Sequence, residues 1–152
     1  MAQPQERVQG DLKDAMKAGD KERTGTLRML LAELKNERIR GGREVSEEDF
    51  LGVVQKGVKQ RLDSAAQYRD ASRPELAEKE EREAKILGAY LPEPVAENEV
   101  RAAVEELAQA MGLGQRDLGK VMQALLPRYK GRIDGQAVQR IAREVLAGRE
   151  GA

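Results

Sequence analysis

The sequence predicts an all-α protein, and three observations support this prediction. Apolar residues recur at spacings of three and four along most of the chain. Aromatic residues make up only 3% of the 152 residues and charged residues 36%, which is typical of amphipathic helices with one apolar stripe and a solvated remainder. No alternating strand pattern competes with these helices, and a β-sandwich or barrel would use more aromatic and β-branched residues.

Three amphipathic helices are predicted in the first part of the chain. Their apolar residues follow helical spacing, so each helix has one face to bury. Since no proline occurs between Ser46 and Pro74, the third helix is expected to extend over 46–71. The stripes that we expect to be buried are Val8, Leu12, Ala15 and Met16; Leu27, Leu30, Leu31 and Leu34; and Leu51, Val54, Val58, Leu62 and Ala65.

Glycines and polar side chains mark where these helices begin and end. Gly19 is expected to end the first helix and Asp20 to cap the second, which the glycine pair at 41–42 then ends. Ser46 is the predicted cap of the third helix, and Asp49 stands at the position of the capping-box acid.

A fourth, acidic helix is predicted near 74–90, with Ser72 as its candidate cap and Pro74 in its first turn. Between 75 and 83, five glutamates outnumber two basic residues. The expected explanation is a solvated helix face. A Mg²⁺ or Ca²⁺ site built from carboxylate oxygens is the alternative.

The stretch YLPEPV at 90–95 is the clearest boundary in the chain. Two prolines separated by one residue cannot continue a helix, and each biases its predecessor toward extended backbone. We therefore predict two domains, 1–92 and 93–152. The second is expected to hold three short helices around one core, with the stripes Val100, Ala103, Val104, Leu107 and Met111; Leu118, Val121, Met122, Leu125 and Leu126; and Ala137, Val138, Ile141 and Val145.

The composition excludes several classes of function. The chain has no Cys and no His, which removes disulfides, the usual zinc and iron–sulfur ligands, Cys nucleophiles and His bases. The start MAQPQERVQGDLKD lacks the apolar run of a signal peptide, and no stretch approaches the ~20 apolar residues of a membrane span. We therefore expect a soluble cytoplasmic protein without membrane contact and without a catalytic residue, metal or cofactor of its own.

Charge is unevenly distributed in the C-terminal part of the chain. Residues 115–143 carry seven basic and two acidic side chains, whereas 93–106 carry five Glu and one Arg. The two segments nearly cancel in total, but their separation produces a directional field. The positive charge is concentrated around a turn between the last two predicted helices.

This turn has several local signals. Pro127 is expected to stop the preceding helix, and Gly131 to take a positive φ. Asp134 is placed to cap the last helix, with Gly135 beside it. A helix N-terminus next to basic side chains is a ready anion site. The alternative is that these side chains merely keep a turn soluble.

Four stretches of the chain carry a family resemblance: LRMLLAELKNERI at 27–39, KQRLDSAAQYRDASRPELAEKEEREAKIL at 59–87, AYLPEPV at 89–95 and, the most specific, DLGKVMQALLPRYKGRIDG at 117–135. On these stretches the chain resembles the YqeY-like family over nearly its whole length. One departure is Ala96, where the family usually has a Ser or Thr cap, and it should weaken the helix start by ~1 kcal/mol.

The C-terminal part of this family is similar to the tail domain of GatB, the B subunit of tRNA-dependent amidotransferases. The resemblance implies an all-helical protein with an elongated N-terminal helical domain and a small three-helix C-terminal bundle. It implies that the C-terminal part takes part in holding tRNA. The activation, amide-transfer and glutamine-hydrolysis chemistry lies in other parts of those enzymes. A carbon–nitrogen ligase label on such a protein would come from the shared domain, because the residues of this chain give no mechanism for that activity.

The leading interpretation is an accessory RNA-binding module with tRNA or another structured RNA as its partner. Few aromatic residues are present for base stacking, so we expect contacts to the phosphate backbone. Tyr129 either stacks on a base or packs under the turn. The expected RNA-binding residues are Lys120, Arg128, Lys130, Gly131, Arg132 and Gly135, with Asp134 as a structural cap.

Two other functions stay open at this point. A protein-interaction adaptor would offer the long 46–71 helix to a partner or to a second copy, although packing against the first two helices explains its stripe equally simply. The second open function is an accessory component of a glutamine-dependent amidotransferase, which is a carbon–nitrogen ligase. Neither of these predicts a catalytic residue in this chain.

Overall fold

In the computed structural model, residues 3–149 are described, and they form only helices, turns and loops. The absence of strands from this part of the chain confirms the prediction of an all-α fold. No helix in it is long and apolar enough to cross a bilayer. The helices are α1 (Pro4–Lys17), α2 (Lys21–Gly41), α3 (Glu47–Asp70), α4 (Pro74–Gly88), α5 (Glu97–Met111), α6 (Leu118–Leu125) and α7 (Gly135–Arg149), with 3-10 turns at Gln115–Asp117 and Pro127–Tyr129.

The chain divides into two compact units, with the division between Leu91 and Pro92. This division falls inside the proline-containing stretch from which the two domains were predicted. Residues 1–2 and 150–152, which belong to the predicted domains, lie outside the described part. That each domain folds by itself stays a prediction.

The core of the N-terminal unit is built from the apolar faces of α1, α2 and α3 and is completed by α4. The ring of Tyr90, just after α4, meets the ring of Phe50 edge to face with 5.6 Å between centroids. Fully burying an aliphatic or Phe side chain contributes about 1.5–3 kcal/mol, so this cluster holds the unit together. Its most deeply buried members are Val8, Leu27, Leu34, Phe50, Val54 and Leu87.

The predicted caps of α2 and α3 are present. Asp20 accepts a hydrogen bond from the backbone N–H of Arg23 at 3.0 Å. Ser46 Oγ accepts one from the Asp49 N–H at 3.0 Å, and Asp49 Oδ2 accepts one from the Ser46 N–H at 3.3 Å. These reciprocal bonds form the predicted capping box, and each cap typically contributes about 1 kcal/mol.

Ser72 does not cap α4, contrary to the prediction. Its φ is +59°, in the left-handed region. The N–H of Arg73 bonds to the carbonyl of Tyr68 at 2.8 Å, and the N–H of Ser72 bonds to the carbonyl of Arg69 at 3.1 Å. This is the Schellman pattern at the end of α3, with serine where glycine is usual. The residue before α4 is Arg73, which provides no side-chain cap.

Three side chains that were predicted to be buried are about half exposed, namely Met16 at 52%, Leu62 at 48% and Met111 at 61%. Met16 and Met111 lie at the ends of α1 and α5, where a neighbouring helix no longer covers the stripe. Leu62 lies within the long α3, where two consecutive steps of four residues rotate it by about 80° around the helix from the buried Val54, whereas Ala65 returns to the buried side.

Arginines neutralise part of the acidic surface of α4. Arg69 of α3 pairs with Glu81, and Arg82 forms a two-point ion pair with Glu22 of α2, with Nε and Oε1 2.8 Å apart. The hydrogen bond from Arg82 holds the pKa of Glu22 below its usual range. Among residues 3–149, no group of three or more acidic side chains is arranged to hold a metal ion. The acidic helix is thus a paired and solvated surface.

The C-terminal unit packs α5, α6 and α7 around one core, as the three stripes predicted. Gly112, with a φ of +64°, ends α5 at the expected break. Residues of the connecting turns belong to this core together with residues of the three helices. Packing of the core therefore also fixes the turns in place. Its fully buried members include Val100, Val104, Ala108, Val121, Val138, Ile141, Ala142 and Leu146.

Candidate nucleic-acid interface

A tight turn joins α6 to α7 and carries most of the predicted RNA-binding residues. Pro127 begins a 3-10 turn directly after α6, and the N–H of Arg132 donates to the carbonyl of Tyr129 at 2.8 Å. Gly131 has a φ of +80°, a backbone conformation that strongly favours glycine. Gly131 is also buried, so it shapes the turn and is not itself open to a ligand.

Tyr129 packs under the turn, which decides between the two roles considered for it. Only 6% of its surface is exposed, and its ring belongs to the core shared by α5, α6 and α7. The Arg128 guanidinium carbon lies 5.5 Å from the ring centroid, a cation–π contact that helps to fix the start of the turn. The turn therefore presents basic side chains to solvent and offers no aromatic ring for base stacking.

Arg132 has a structural task that the sequence did not reveal. Its Nε donates to the carbonyl oxygen of Glu93 at 2.9 Å, and its own carbonyl accepts from the N–H of Val95 at 3.0 Å. Val95 is 7% exposed and belongs to the core of the unit. Arg132 thereby fastens the segment before α5 to the turn before α7, and its guanidinium is partly engaged within the protein.

Lys120 is separated from the turn by most of α6. It lies in the first turn of this helix, about 9 Å along the axis from Leu126 at 1.5 Å per residue. Its Nζ is 3.5 Å from Asp117 Oδ1. The other oxygen of Asp117 accepts from the N–H of Gly114 at 2.9 Å, and this bond, with Lys120 assisting, lowers the pKa of the Asp117 carboxyl. Lys120 thus belongs to the start of α6.

Arg128 and Lys130 are the basic side chains that the turn leaves available. Arg128 is exposed and Lys130 half-buried. Neither forms an ion pair with any residue between 3 and 149. Both stand on a backbone that is held from two sides, by the Tyr129 core contact and by the Arg132 hydrogen bonds. A held backbone reduces the entropy lost when such side chains bind a ligand.

The start of α7 already carries a negative charge. The Asp134 side chain accepts a hydrogen bond from the N–H of Gln136 at 3.0 Å, and α7 begins at Gly135. A Cβ on Gly135 would lie 3.4 Å from Leu126 Cδ1, an ordinary van der Waals contact, so the packing of α7 against the end of α6 does not itself require glycine here. Since the Asp134 carboxylate occupies the helix N-terminus, any anion bound nearby would be held by the basic side chains.

The opposite charges of the two C-terminal segments meet between α5 and α7. Arg140 Nη2 lies 2.8 Å from Glu97 Oε2, and Arg101 Nη2 lies 2.6 Å from Glu144 Oε2. The hydrogen bond from Arg101, with Arg140 also close to the carboxylate, lowers the pKa of Glu144. Arg140 is thereby withdrawn from the basic surface. The excess positive charge predicted for 115–143 is accordingly smaller in the folded unit than the residue count indicates.

These contacts leave a small cationic surface at the turn between α6 and α7. Phosphate oxygens accept strong, charge-assisted hydrogen bonds from guanidinium and ammonium groups. Such contacts position a nucleic acid without reading its sequence. The arrangement is therefore suited to binding an extended anion.

Comparison with known proteins assigns the family. A profile of the family described as Yqey-like protein matches residues 5–146. The chain is 30% identical over 143 residues to "Altered inheritance of mitochondria protein 41, mitochondrial" of Pyrenophora tritici-repentis, covering 92% of this chain and 79% of that protein. The proteins of the same name from Clavispora lusitaniae and Lachancea thermotolerans are 40% identical over 90 residues and 39% identical over 100 residues.

The matches to the two yeast proteins are shorter. They cover 59% and 64% of this chain but only 52% and 54% of the relatives, so the chain spans about half their length.

The prediction of a cytoplasmic location is contradicted, because these relatives are named as mitochondrial proteins. The prediction depended on the lack of cysteine and of an apolar leader, and neither feature distinguishes the cytosol from other reducing compartments. The family assignment does not depend on location. Since the profile matches residues 5–146 and the similarity to the Pyrenophora tritici-repentis protein covers 92% of this chain, the chain belongs to the Yqey-like protein family.

Proposed function

We propose that this chain is an accessory RNA-binding module whose partner is tRNA or another structured RNA. The observation that carries the proposal is the pair Arg128 and Lys130, which lack an ion-pair partner among residues 3–149 and project from a firmly held turn. Gly131 gives the turn its shape. The guanidinium of Arg132 contributes where its bond to Glu93 leaves it free, and Lys120 extends the cationic surface along α6.

The family resemblance supports tRNA as the RNA class. We propose that the C-terminal three-helix unit is related to the tail domain of the amidotransferase B subunit, which takes part in holding tRNA. The all-helical C-terminal unit is consistent with that relation. With Tyr129 buried, recognition would use backbone shape and charge, as is usual for double-stranded RNA.

Salt dependence of binding tests this proposal directly. Fluorescence anisotropy of a labelled tRNA transcript, titrated with the full chain at several salt concentrations, gives the slope of log K against log salt. Two to three phosphate contacts predict a slope of about −1.4 to −2.7, from about −0.7 to −0.9 per contact. No salt-dependent binding to any tRNA would remove the RNA interpretation.

A paired charge reversal locates the surface. Arg128→Glu with Lys130→Glu should weaken binding and reduce the magnitude of the slope by about 1.4 to 1.8, because two contacts are lost. The matched control is Lys79→Glu with Lys85→Glu, which makes the same charge change at exposed positions on the acidic α4. Equal losses in both variants would mean that the attraction is diffuse and that the turn is not the site.

A further inference from the structure

A groove between α2 and α3 stands apart from the basic turn and belongs entirely to the N-terminal unit. It has a volume of about 410 Å³. Its apolar part includes Leu30 and Met29 from α2, Val53 from α3 and Leu87 from α4. Met29 is 57% exposed, although it lies on the long α2, well away from either helix end. An exposed methionine beside an apolar groove is an anchor of the kind found at interaction surfaces.

The charged residues of the groove are divided between its two walls. The α2 wall carries Glu33 and Glu37, and the α3 wall carries Lys56 and Arg61. Arg40 also lies on the α2 wall, but it is paired with Glu37 at 2.8 Å. One wall is therefore predominantly acidic and the other is basic, with apolar surface between them.

Arg61 is poorly satisfied within the described part of the chain. Its Nη1 donates to the carbonyl of Gly57 at 3.3 Å, and its Nη2 contacts Met29 Sδ at 3.9 Å. Its Nε is buried without a hydrogen-bond partner. No carboxylate among residues 3–149 lies within ion-pair distance of this guanidinium. A guanidinium is best satisfied by a carboxylate, which it binds through two parallel N–H bonds.

A surface with an acidic and a basic wall is complementary to itself. In a twofold dimer the same patch is used by both copies, so residue i contacts residue j and residue j contacts residue i. A twofold axis that runs along the groove places the acidic α2 wall of each copy against the basic α3 wall of the other. Glu33 then supplies the carboxylate that Arg61 lacks, and Met29 of each copy covers the apolar part of the groove.

We propose that the α2–α3 groove is the interface of a homodimer, with a second copy of this chain as its occupant. A ligand of one charge, such as a fatty acid, would satisfy Arg61 but would face the repulsion of Glu33. A second copy satisfies both walls at once. This inference is independent of the RNA-binding proposal, because it uses no residue of the C-terminal unit.

Charge reversal on one wall at a time tests the pairing. Sedimentation velocity of the full chain should show a dimer for the wild type. Reversing the basic wall with Lys56→Glu and Arg61→Glu makes both walls acidic, and reversing the acidic wall with Glu33→Lys and Glu37→Lys makes both basic. Each variant alone should associate at least about tenfold more weakly, because like charges then face each other. The control variant Lys79→Glu with Lys85→Glu should dimerise like the wild type.

Mixing the two wall variants separates specific pairing from damage to the fold. In an equimolar mixture, the acidic walls of one variant face the basic walls of the other, so a heterodimer should form at concentrations at which each variant alone stays monomeric. A single chain with all four reversals should regain dimerisation for the same reason. A wild type that stays monomeric at its highest soluble concentration overturns the proposal. So does a mixture of the two variants that remains monomeric while both retain wild-type helix content.

Discussion

The Nε of Arg132 donates a hydrogen bond to the carbonyl oxygen of Glu93 at 2.9 Å, across 39 positions of sequence. Next to it, the N–H of Val95 bonds to the carbonyl of Arg132 at 3.0 Å. Arg132, which the sequence predicts as an RNA contact, therefore also joins the segment before α5 to the turn before α7. We call these two hydrogen bonds the Arg132 clasp. In the proposed RNA-binding role, a substitution of Arg132 would change RNA affinity and stability together, so binding data on Arg132 alone would not distinguish the two causes.

Arg132→Lys separates these two effects. Lysine keeps the positive charge but lacks the Nε donor, so the free energy of unfolding of the C-terminal unit should fall by about 1 kcal/mol, the typical contribution of one hydrogen bond. Urea denaturation followed by circular dichroism measures the change. Arg128→Lys is the matched control, because Arg128 donates no hydrogen bond to residues 3–149, and it should change stability by less than ~0.5 kcal/mol. Equal stability of the two variants would contradict the clasp.

Ser72→Gly should stabilise the N-terminal unit. Ser72 has a φ of +59° at the end of α3, and a left-handed non-glycine residue typically costs about 1 kcal/mol or more. Glycine removes this cost but adds freedom to the unfolded chain, so the expected net gain is about 0.5–1 kcal/mol in thermal or urea unfolding. Ser64→Gly, within α3, should instead destabilise by about 0.5–1 kcal/mol. A loss of stability in Ser72→Gly would show that the serine side chain contributes to the turn.

Tyr90 should make the N-terminal unit sensitive to alkaline pH. Burial, followed by the hydrogen bond from its hydroxyl to Asp11, raises the pKa of Tyr90 well above its usual range. A group with a raised folded-state pKa contributes stability that is fully present below the unfolded pKa, near ~10 for tyrosine. That stability is lost as pH rises further, because the unfolded chain ionises before the folded one does. The free energy of unfolding should therefore decline above pH ~10.

The variant Tyr90→Phe isolates this contribution from the titration of lysines. It should be less stable than the wild type at neutral pH, because the hydrogen bond to Asp11 is lost. The difference should shrink above pH ~10, where the wild type loses the same contribution. Tyr68→Phe is the matched control and should keep the wild-type pH dependence. Parallel curves for wild type and Tyr90→Phe would contradict the assignment.

The helices and their ends could be predicted from the sequence because their signals are local. The capping box of Ser46 and Asp49 lies within four positions, and the left-handed φ of Gly42 follows from the glycine itself. Ser72 shows where this fails. A serine before a proline indicates an N-cap, and only the backbone bonds of the preceding helix show that it ends α3 instead.

The candidate site could be predicted only in part, because its contacts join residues far apart in sequence. Counting charges identified the basic turn but not that Arg140 pairs with Glu97, 43 positions away. Such pairs depend on how each helix is rotated about its axis, which the three-dimensional packing decides. Likewise, the spacing of Tyr129 fits both a buried and an exposed ring. Only once these pairings are known do the exposed Arg128 and the half-buried Lys130 stand out as the basic side chains of the turn without an ion-pair partner among residues 3–149.

The prediction of an independent C-terminal domain can be tested by choosing where a fragment begins. Residues 92–152 keep the hydrogen bonds of Arg132 to the segment before α5, as well as the core of α5, α6 and α7. This fragment should be helical and should unfold cooperatively. A fragment 97–152 begins at α5 and lacks Glu93 and Val95. Urea denaturation of both fragments gives the comparison.

The shorter fragment should be less stable by about 2.5–6 kcal/mol. Two hydrogen bonds contribute about 0.5–1.5 kcal/mol each, and burial of Val95, which is 7% exposed, contributes about 1.5–3 kcal/mol. A domain of about 60 residues is only marginally stable, so this loss should leave 97–152 largely unfolded. Equal stability of the two fragments would show that the Arg132 clasp is dispensable. An unfolded 92–152 would show that the C-terminal unit depends on the rest of the chain and is not a domain.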